Sequence, residues 1–271
     1  MIRLYRHSDD VEDELKNLQD VRENQDHGLT MTEAIKNLSK YEVRTPFLLS
    51  LATILFVQCT GHFAIIYYAV EIFKNAGVDS NEHLAAIITA VVKIGGGVLG
   101  IFLVQKLPRV KLAIASMTVL SISMIVLGTV IYMKKDYENQ QVFQVLPIFC
   151  VTLYMFSYGA GKLILRFPRL NSPLLMVSGV GPIQWVFLGE LLPPEYKVLS
   201  GIITSLAALA IFAITKVFPT LLQLLGAAAT YWMFGSIAVV SNVFFYFFIP
   251  ETKGKSLLEI QQSFSDRNAR K

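Results

Sequence analysis

Four stretches of this chain, residues 46–70, 112–133, 141–161 and 224–250, contain no Asp, Glu, Lys or Arg. Two more, 84–105 and 198–222, carry one charge each, Lys93 and Lys216. A bilayer's hydrocarbon core is about 30 Å thick, and about 20 apolar residues in a helix cross it. Inside it a helix satisfies its own backbone N–H and C=O groups, whereas an open strand does not. The chain therefore reads as an all-α, polytopic membrane protein. Its expected spans cover about 46–70, 84–105, 112–133, 143–190, 198–222 and 228–250. Charged residues make up 16% of the 271, against about 25% in soluble domains. That excludes a soluble enzyme or a nucleic-acid binder, and the net charge of +4 needs no nucleic-acid partner.

The polar N-terminus, MIRLYRHSDDVEDELKNLQD, is not a cleavable signal peptide. Cys59 and Cys150 lie inside apolar segments, so no disulfide framework is indicated. No HExxH pair and no membrane-embedded acid pair occurs. No enzymatic activity, catalytic residue, metal or cofactor is expected.

Residues 1–45 read as a cytoplasmic segment of surface helices, one starting after Ser8-Asp9-Asp10 and one at Thr30 or Thr32 before EAIKNL. A partly disordered tail is the alternative. Six crossings put both ends on one side. Residues 1–45, the 106–111 turn, Lys197 and the tail after Pro250 then hold 16 Lys+Arg, against three (Lys74, Lys134, Lys135) opposite. Lys and Arg accumulate on the cytoplasmic side, so both termini are expected there. The sequon Asn37-Leu38-Ser39 would stay unused.

The 143–190 stretch is too long for one span. Read as two spans joined by KLILRFPRLNSPLLMVSG, it gives seven crossings and a weaker cation asymmetry, 13 to nine. Six crossings with something extra near 161–178 fit better.

Four motifs bring a family resemblance. GPIQWVFLGELLP followed by Lys197 resembles the tenth-helix signature of the sugar porters of the major facilitator superfamily, G-P-x-P-W-x-x-x-x-E-x-x-P…R. PETKGKSLLEI at 250–260 is similar to the signature after their twelfth helix. QCTGHFAIIYYAVEIF at 58–73 resembles a degraded seventh-helix signature, and QKLPRVK at 105–111 sits where D-R-x-G-R-R joins helices eight and nine. The flavour is that of facilitated trehalose and glucose transporters. The resemblance implies a cytoplasmic central loop (1–45), the six-helix C-terminal half of a twelve-helix fold (46–250) and a cytoplasmic tail (251–271). It also implies that an N-terminal six-helix half, or a partner chain, completes the protein. Removing 18 residues, Gly161 to Ser178, gives FSYGAGVGPIQW, a close fit to the family. Codons for Gly161-Lys162-Leu163 and Val177-Ser178-Gly179 can carry splice-donor and acceptor consensus sequences. A retained intron is therefore expected, with a genuine loop insertion as the alternative.

A sugar needs groups that both donate and accept, such as amides, together with an aromatic platform. The resemblance assigns substrate contact to Gln58 and Trp185, with a helix–helix hydrogen bond for Gln58 and packing alone for Trp185 as the alternatives, but much of the pattern is gone. The other seventh-helix glutamine is Val57, and the asparagine is Phe63. The eighth-helix amide falls at Lys93, and the tenth-helix acid or serine at Gly159. Gln184 replaces the proline before Trp185, and the eleventh-helix asparagine falls at Ala207 or Ala208. His62, one turn from Gln58, joins the candidates as a cavity group or as a buried hydrogen-bonded histidine. Lys93 is a functional candidate because an intramembrane cation is costly, and an anionic substrate or a carboxylate from a partner half would answer it.

Tyr67 and Tyr68 match the outer gate, with core packing as the alternative. Gly179, Gly181 and Pro182 are expected to break the tenth helix as a hinge. Gly95, Gly96, Gly97 and Gly100 suggest close helix approach. Glu190, Lys197, Lys106, Arg109 and Glu251 are the candidate cytoplasmic lock, weakened because Lys197 lacks arginine's fork. The expected function is sugar transport by alternating access, at the plasma membrane, by a fragment or degraded paralogue. The alternative is a non-transporting half-length membrane protein. Partners would be a small sugar and membrane lipid.

Overall fold

The computed structural model describes residues 30–76, 82–106, 108–134, 142–159, 180–192 and 194–252. Ten α-helices occur among them, with no strand. The expected helix after Ser8 and the tail beyond Thr252 lie outside the described residues.

Helix α1 (Met31–Asn37) starts where the Glu33 carboxylate accepts the backbone N–H (3.0 Å) and the hydroxyl (2.8 Å) of Thr30. These bonds satisfy donors that a helix start leaves unpaired. Both favour the ionised acid, so the carboxyl is held below its ordinary range. Ala34 of α1 packs with Val43, Tyr196 and Leu199.

The segment expected as one span over 46–70 is three helices: α2 (Tyr41–Cys59), α3 (His62–Tyr67) and α4 (Ala69–Asn75). Helices α5 (Glu82–Lys106) and α6 (Arg109–Met133) follow. The overlong segment contributes α7 (Val142–Gly159) and α8 (Val180–Leu191). A 3-10 turn at Pro194–Tyr196 leads into α9 (Val198–Leu225), and α10 (Ala227–Phe248) ends the bundle. Four stretches, 43–67, 109–133, 198–225 and 227–248, are long and apolar enough to cross a membrane. Shorter apolar stretches cover His83–Gly96 and Val145–Gly159. This is an integral, multi-pass membrane protein.

The largest core cluster draws on every helix from α2 to α10, around Phe73, Tyr154, Phe187, Phe218, Tyr231 and Phe234. Lipid tails are as apolar as Leu, so small residues that let backbones approach are what hold such helices together. The tight contact of this kind is between α6 and α10. A Cβ on Gly128 would lie 2.6 Å from the Trp232 ring, and one on Gly235 2.8 Å from Ile125. Of the glycines expected to allow close approach, Gly95, Gly96, Gly97 and Gly100, a Cβ on Gly95 meets nothing within 4 Å in this chain, and Gly97 and Gly100 lie outside the residues whose surroundings are described.

Candidate functional site

The site grows from the break between α2 and α3. The last turn of α2 tightens as the Thr60 N–H bonds the Val57 carbonyl (3.3 Å) and the Gly61 N–H the Gln58 carbonyl (3.1 Å). Gly61 then turns left-handed, at φ 81°. A Cβ there would strain the backbone and lie 2.9 Å from the Phe234 ring. The Tyr154 hydroxyl of α7 donates to the Thr60 carbonyl (3.0 Å), satisfying a group the break leaves open. The second interruption is at Tyr68, with φ −105°.

A buried polar chain crosses from this break to α8. Gln58 Nε2 donates to Gln184 Oε1 (3.4 Å), and Gln184 Nε2 donates to the Tyr158 hydroxyl (3.3 Å). His62 lies flat on the Tyr158 ring, with centroids 3.2 Å apart. Gln58, His62 and Gln184 are all buried. The structure thus places Gln58 and His62 behind the cavity wall described next, not on it.

The cavity measures about 640 Å³ and lies among α3, α4, α5, α7 and α8. Lys93 and Thr89 face it one helical turn apart on α5; Tyr158 and Gly159 of α7 and Gly181 and Trp185 of α8 close the other side. The rest of the wall is alanine, isoleucine and methionine. Lys93 is partly buried and meets no carboxylate among the described residues. A lysine at mid-bilayer costs about 2.5–3.5 kcal/mol on translocon scales. Of the gate candidates, Tyr67 is exposed, whereas Tyr68 packs against Phe218 at 5.3 Å.

Helices α7 and α8 meet end to end. Ser116 Oγ donates to the Ser157 carbonyl (2.7 Å) and accepts the Val180 N–H (3.0 Å), and Ser157 Oγ returns a bond to the Ser116 carbonyl (3.0 Å). A Cβ on Gly181 would lie 2.7 Å from the Tyr158 ring and 2.9 Å from its carbonyl oxygen. Gly181 is therefore demanded by this close approach. Gly179 and the side chain of Pro182 lie outside the described residues.

At the other end of α8, Glu190 pairs with the Arg109 guanidinium. Glu251 accepts the backbone N–H groups of Arg109 (2.8 Å) and Val110 (3.2 Å), capping α6 with negative charge. Arg109 also donates to Thr252 Oγ1 (3.3 Å). Lys197 stays exposed at the start of α9, without a partner among the described residues. The Lys106 side chain is outside those residues. Of the five lock candidates, three are brought together.

A helix broken beside a cavity in the bundle is an arrangement that transporter folds share. The fold is the six-helix C-terminal half of a twelve-helix major facilitator fold. The proton:xylose symporter XylE, solved with 6-bromo-6-deoxy-D-glucose, superposes with a TM-score of 0.64 at 24% identity, over 86% of this chain and 46% of that one. The inward-open xylose transporter from E. coli gives 0.62 at 21% identity, over 92% and 46%. The sequence profile of the family described as "Sugar (and other) transporter" matches residues 2–167 and 175–264, and this chain belongs to that family. A facilitated trehalose transporter of Polypedilum vanderplanki is 32% identical over 86% of this chain and 43% of its own length. One from Aedes aegypti is 30% identical over 95% and 30%. The chain spans less than half the length of these relatives.

Sequence reasoning missed Gln184, Tyr158 and Tyr154 as members of the polar chain. Gln184 registered only as a lost proline, and tyrosines in an apolar run look like packing. The available signal was polarity: Gln184 is an amide at lipid depth, where an unpaired polar group is costly.

Proposed function

We propose that this chain is the C-terminal half of a sugar carrier working by alternating access. The observation that carries this is the Gly61 helix break beside the cavity lined by Lys93 and Trp185. A broken helix lets the α3–α4 arm move against α2 while the cavity is opened to one side. Hexoses and trehalose are the substrate class. Trp185 supplies the aromatic platform, and the exposed Tyr67 acts at the outer gate, with Tyr68 packed against Phe218 behind it. Arg109, Glu190 and Glu251 hold the cytoplasmic helix ends together until turnover releases them, and Lys106 and Lys197 are proposed as further members of this lock.

The remaining contacts come from an N-terminal six-helix half or a partner chain. Support comes from α9, only 17% of whose apolar window is buried within this chain. Its exposed face includes Gly201, Thr204, Ser205 and Ala208, small enough for close helix approach. Gly95 of α5 likewise faces open space. Both termini lie in the cytoplasm of a plasma-membrane protein; a glycan on Asn37 would refute that orientation. Residues 161–178 are a retained intron, a reading supported by the way Ser116 ties Ser157 to Val180. An abundant transcript containing those codons would refute it.

The deciding experiment is uptake of labelled trehalose and glucose by the complete polypeptide in reconstituted vesicles. Saturable uptake is expected. No uptake of either would favour the second reading, a non-transporting membrane protein. One observation favours that reading: Gln58 is buried behind the cavity wall with its Nε2 tied to Gln184, so the surviving family amide does not line the cavity.

A further inference from the structure

The cavity wall and a neutral sugar are poorly matched in hydrogen-bonding sense. A sugar hydroxyl both donates and accepts, and amides answer both needs. Among the described residues no amide lines this cavity. Thr89 Oγ1 already donates to the Ala85 carbonyl (2.8 Å) and shares a bond with Thr152 Oγ1 (3.0 Å). The Tyr158 hydroxyl accepts from Gln184, which leaves its own proton to give. The Trp185 indole N–H has no acceptor among the described residues, and the indole only donates. Lys93 brings three donors and a positive charge, with no carboxylate facing it among those residues.

The side-chain protons left to give on this wall are those of Tyr158, Trp185 and Lys93, and among the described residues its one charge is positive, set among apolar side chains. A ligand that accepts and is negative complements it. An ionised carboxylate is such a group, and a charge-assisted bond to Lys93 is roughly twice as strong as a neutral one. We infer that the cavity at Lys93 binds a compact monocarboxylate in preference to neutral sugars, with the carboxylate on Lys93 Nζ and its body against Trp185 and the apolar wall. The body of the ligand is either a sugar ring, as in a hexuronate, or an apolar ring. The inference rests on the carrier reading only for what the site does after binding.

The test is equilibrium binding to the complete polypeptide, purified in detergent micelles, of radiolabelled glucuronate and benzoate beside their neutral counterparts glucose and benzamide. At least one carboxylate should bind tenfold or more tighter than its counterpart, and which one does identifies the body. Lys93→Met and Lys93→Gln should erase that preference, while Lys93→Arg keeps it within a few-fold and shows that the fold tolerates change there. Neutral ligands binding as tightly as the acids, a preference unchanged in Lys93→Met and Lys93→Gln, or no saturable carboxylate binding to monodisperse protein would each overturn the inference. Vesicle uptake separates the two readings. Glucose or trehalose flux without a carboxylate preference overturns only this inference, and carboxylate binding without flux of any ligand overturns only the carrier reading.

Discussion

The glycines allow the helix break to be tested against its own physics, because four of them separate two costs. Gly61 combines positive φ with crowding: φ is 81° and a Cβ would lie 2.9 Å from Phe234. Gly226 has φ 82° but open space. Gly181 is crowded by the Tyr158 ring and carbonyl, with no positive φ, and Gly95 meets neither condition. A left-handed residue with a side chain costs about 1–2 kcal/mol, and overpacking a methyl about 1–3 kcal/mol. Gly61→Ala should therefore lose about 2–5 kcal/mol, Gly226→Ala about 1–3 kcal/mol and Gly181→Ala about 1–3 kcal/mol. Gly95→Ala should gain about 0.5–1 kcal/mol from helix propensity. At about 2–4 °C per kcal/mol for a chain of this size, Gly61→Ala should melt about 4–20 °C below the parent. The assay is thermal unfolding of the purified complete protein in detergent, all four variants side by side. Gly61→Ala melting with the parent, or Gly61→Ala and Gly95→Ala shifting the same way, would refute the reasoning. It would mean that Thr60–Gly61 is not a fixed break held against Phe234.

Tyr154→Phe removes the hydroxyl that satisfies the Thr60 carbonyl; it should cost about 1 kcal/mol and speed amide exchange around Thr60–Gly61, read by mass spectrometry. Arg109→Ala and Glu190→Gln should be coupled by about 1–2 kcal/mol in a double-mutant cycle, between surface and buried ion pairs, because the two side chains are 19% and 24% exposed. Additive losses would deny the pairing. Deleting residues 161–178 should leave the melting temperature of the complete protein unchanged, because Ser116 already holds Ser157 and Val180 on one hydroxyl. Glu33 is held below the ordinary carboxylate range by Thr30. Its contribution to α1 is full above the unfolded-state value and is lost as pH falls through the lower folded value. Thr30→Val should move the Glu33 titration upward toward its ordinary position, followed by carboxyl carbon NMR.

Particular residues show what was legible in the sequence. The charge-free runs announce a membrane protein because burying a charge in lipid is costly at every position along a span. Thr30 announces α1 because capping is decided within one turn. Glu190 announces a charge cluster, but its partner is Arg109, 81 positions back, and Lys197 is merely close in sequence. The break at Thr60–Gly61 was hidden because hydropathy counts a broken apolar segment and a straight one alike. What fixes Gly61 is the Phe234 ring, brought there by the packing of α10. Gly95 and Gly128 show the same limit. Both are glycines in apolar helices, yet one meets open space and the other Trp232. The sequence carries the glycine but not the neighbour.

The exposed surface carries a further distinction that hydropathy averages away. On α10 the exposed side chains include Val239, Val240, Val243, Tyr246, Phe247 and Phe248, bulky groups suited to lipid tails. On α9 the exposed face mixes Leu209 and Phe212 with Gly201, Thr204, Ser205 and Ala208. The hydroxyls of Thr204 and Ser205 turn back onto the carbonyls of Ser200 (2.8 Å) and Gly201 (2.9 Å), so they need no partner across the interface. A lipid-facing helix gains nothing from being narrow, whereas a helix–helix interface does. The narrow face of α9 and the bare Gly95 of α5 are therefore the surfaces against which a second six-helix half would close. That closure would dry the cavity at Lys93 and strengthen every charge interaction within it. On the proposed carrier reading, the chemistry of this site would be set by both halves together, and Lys93 is the residue whose role would depend most on what the other half presents to it.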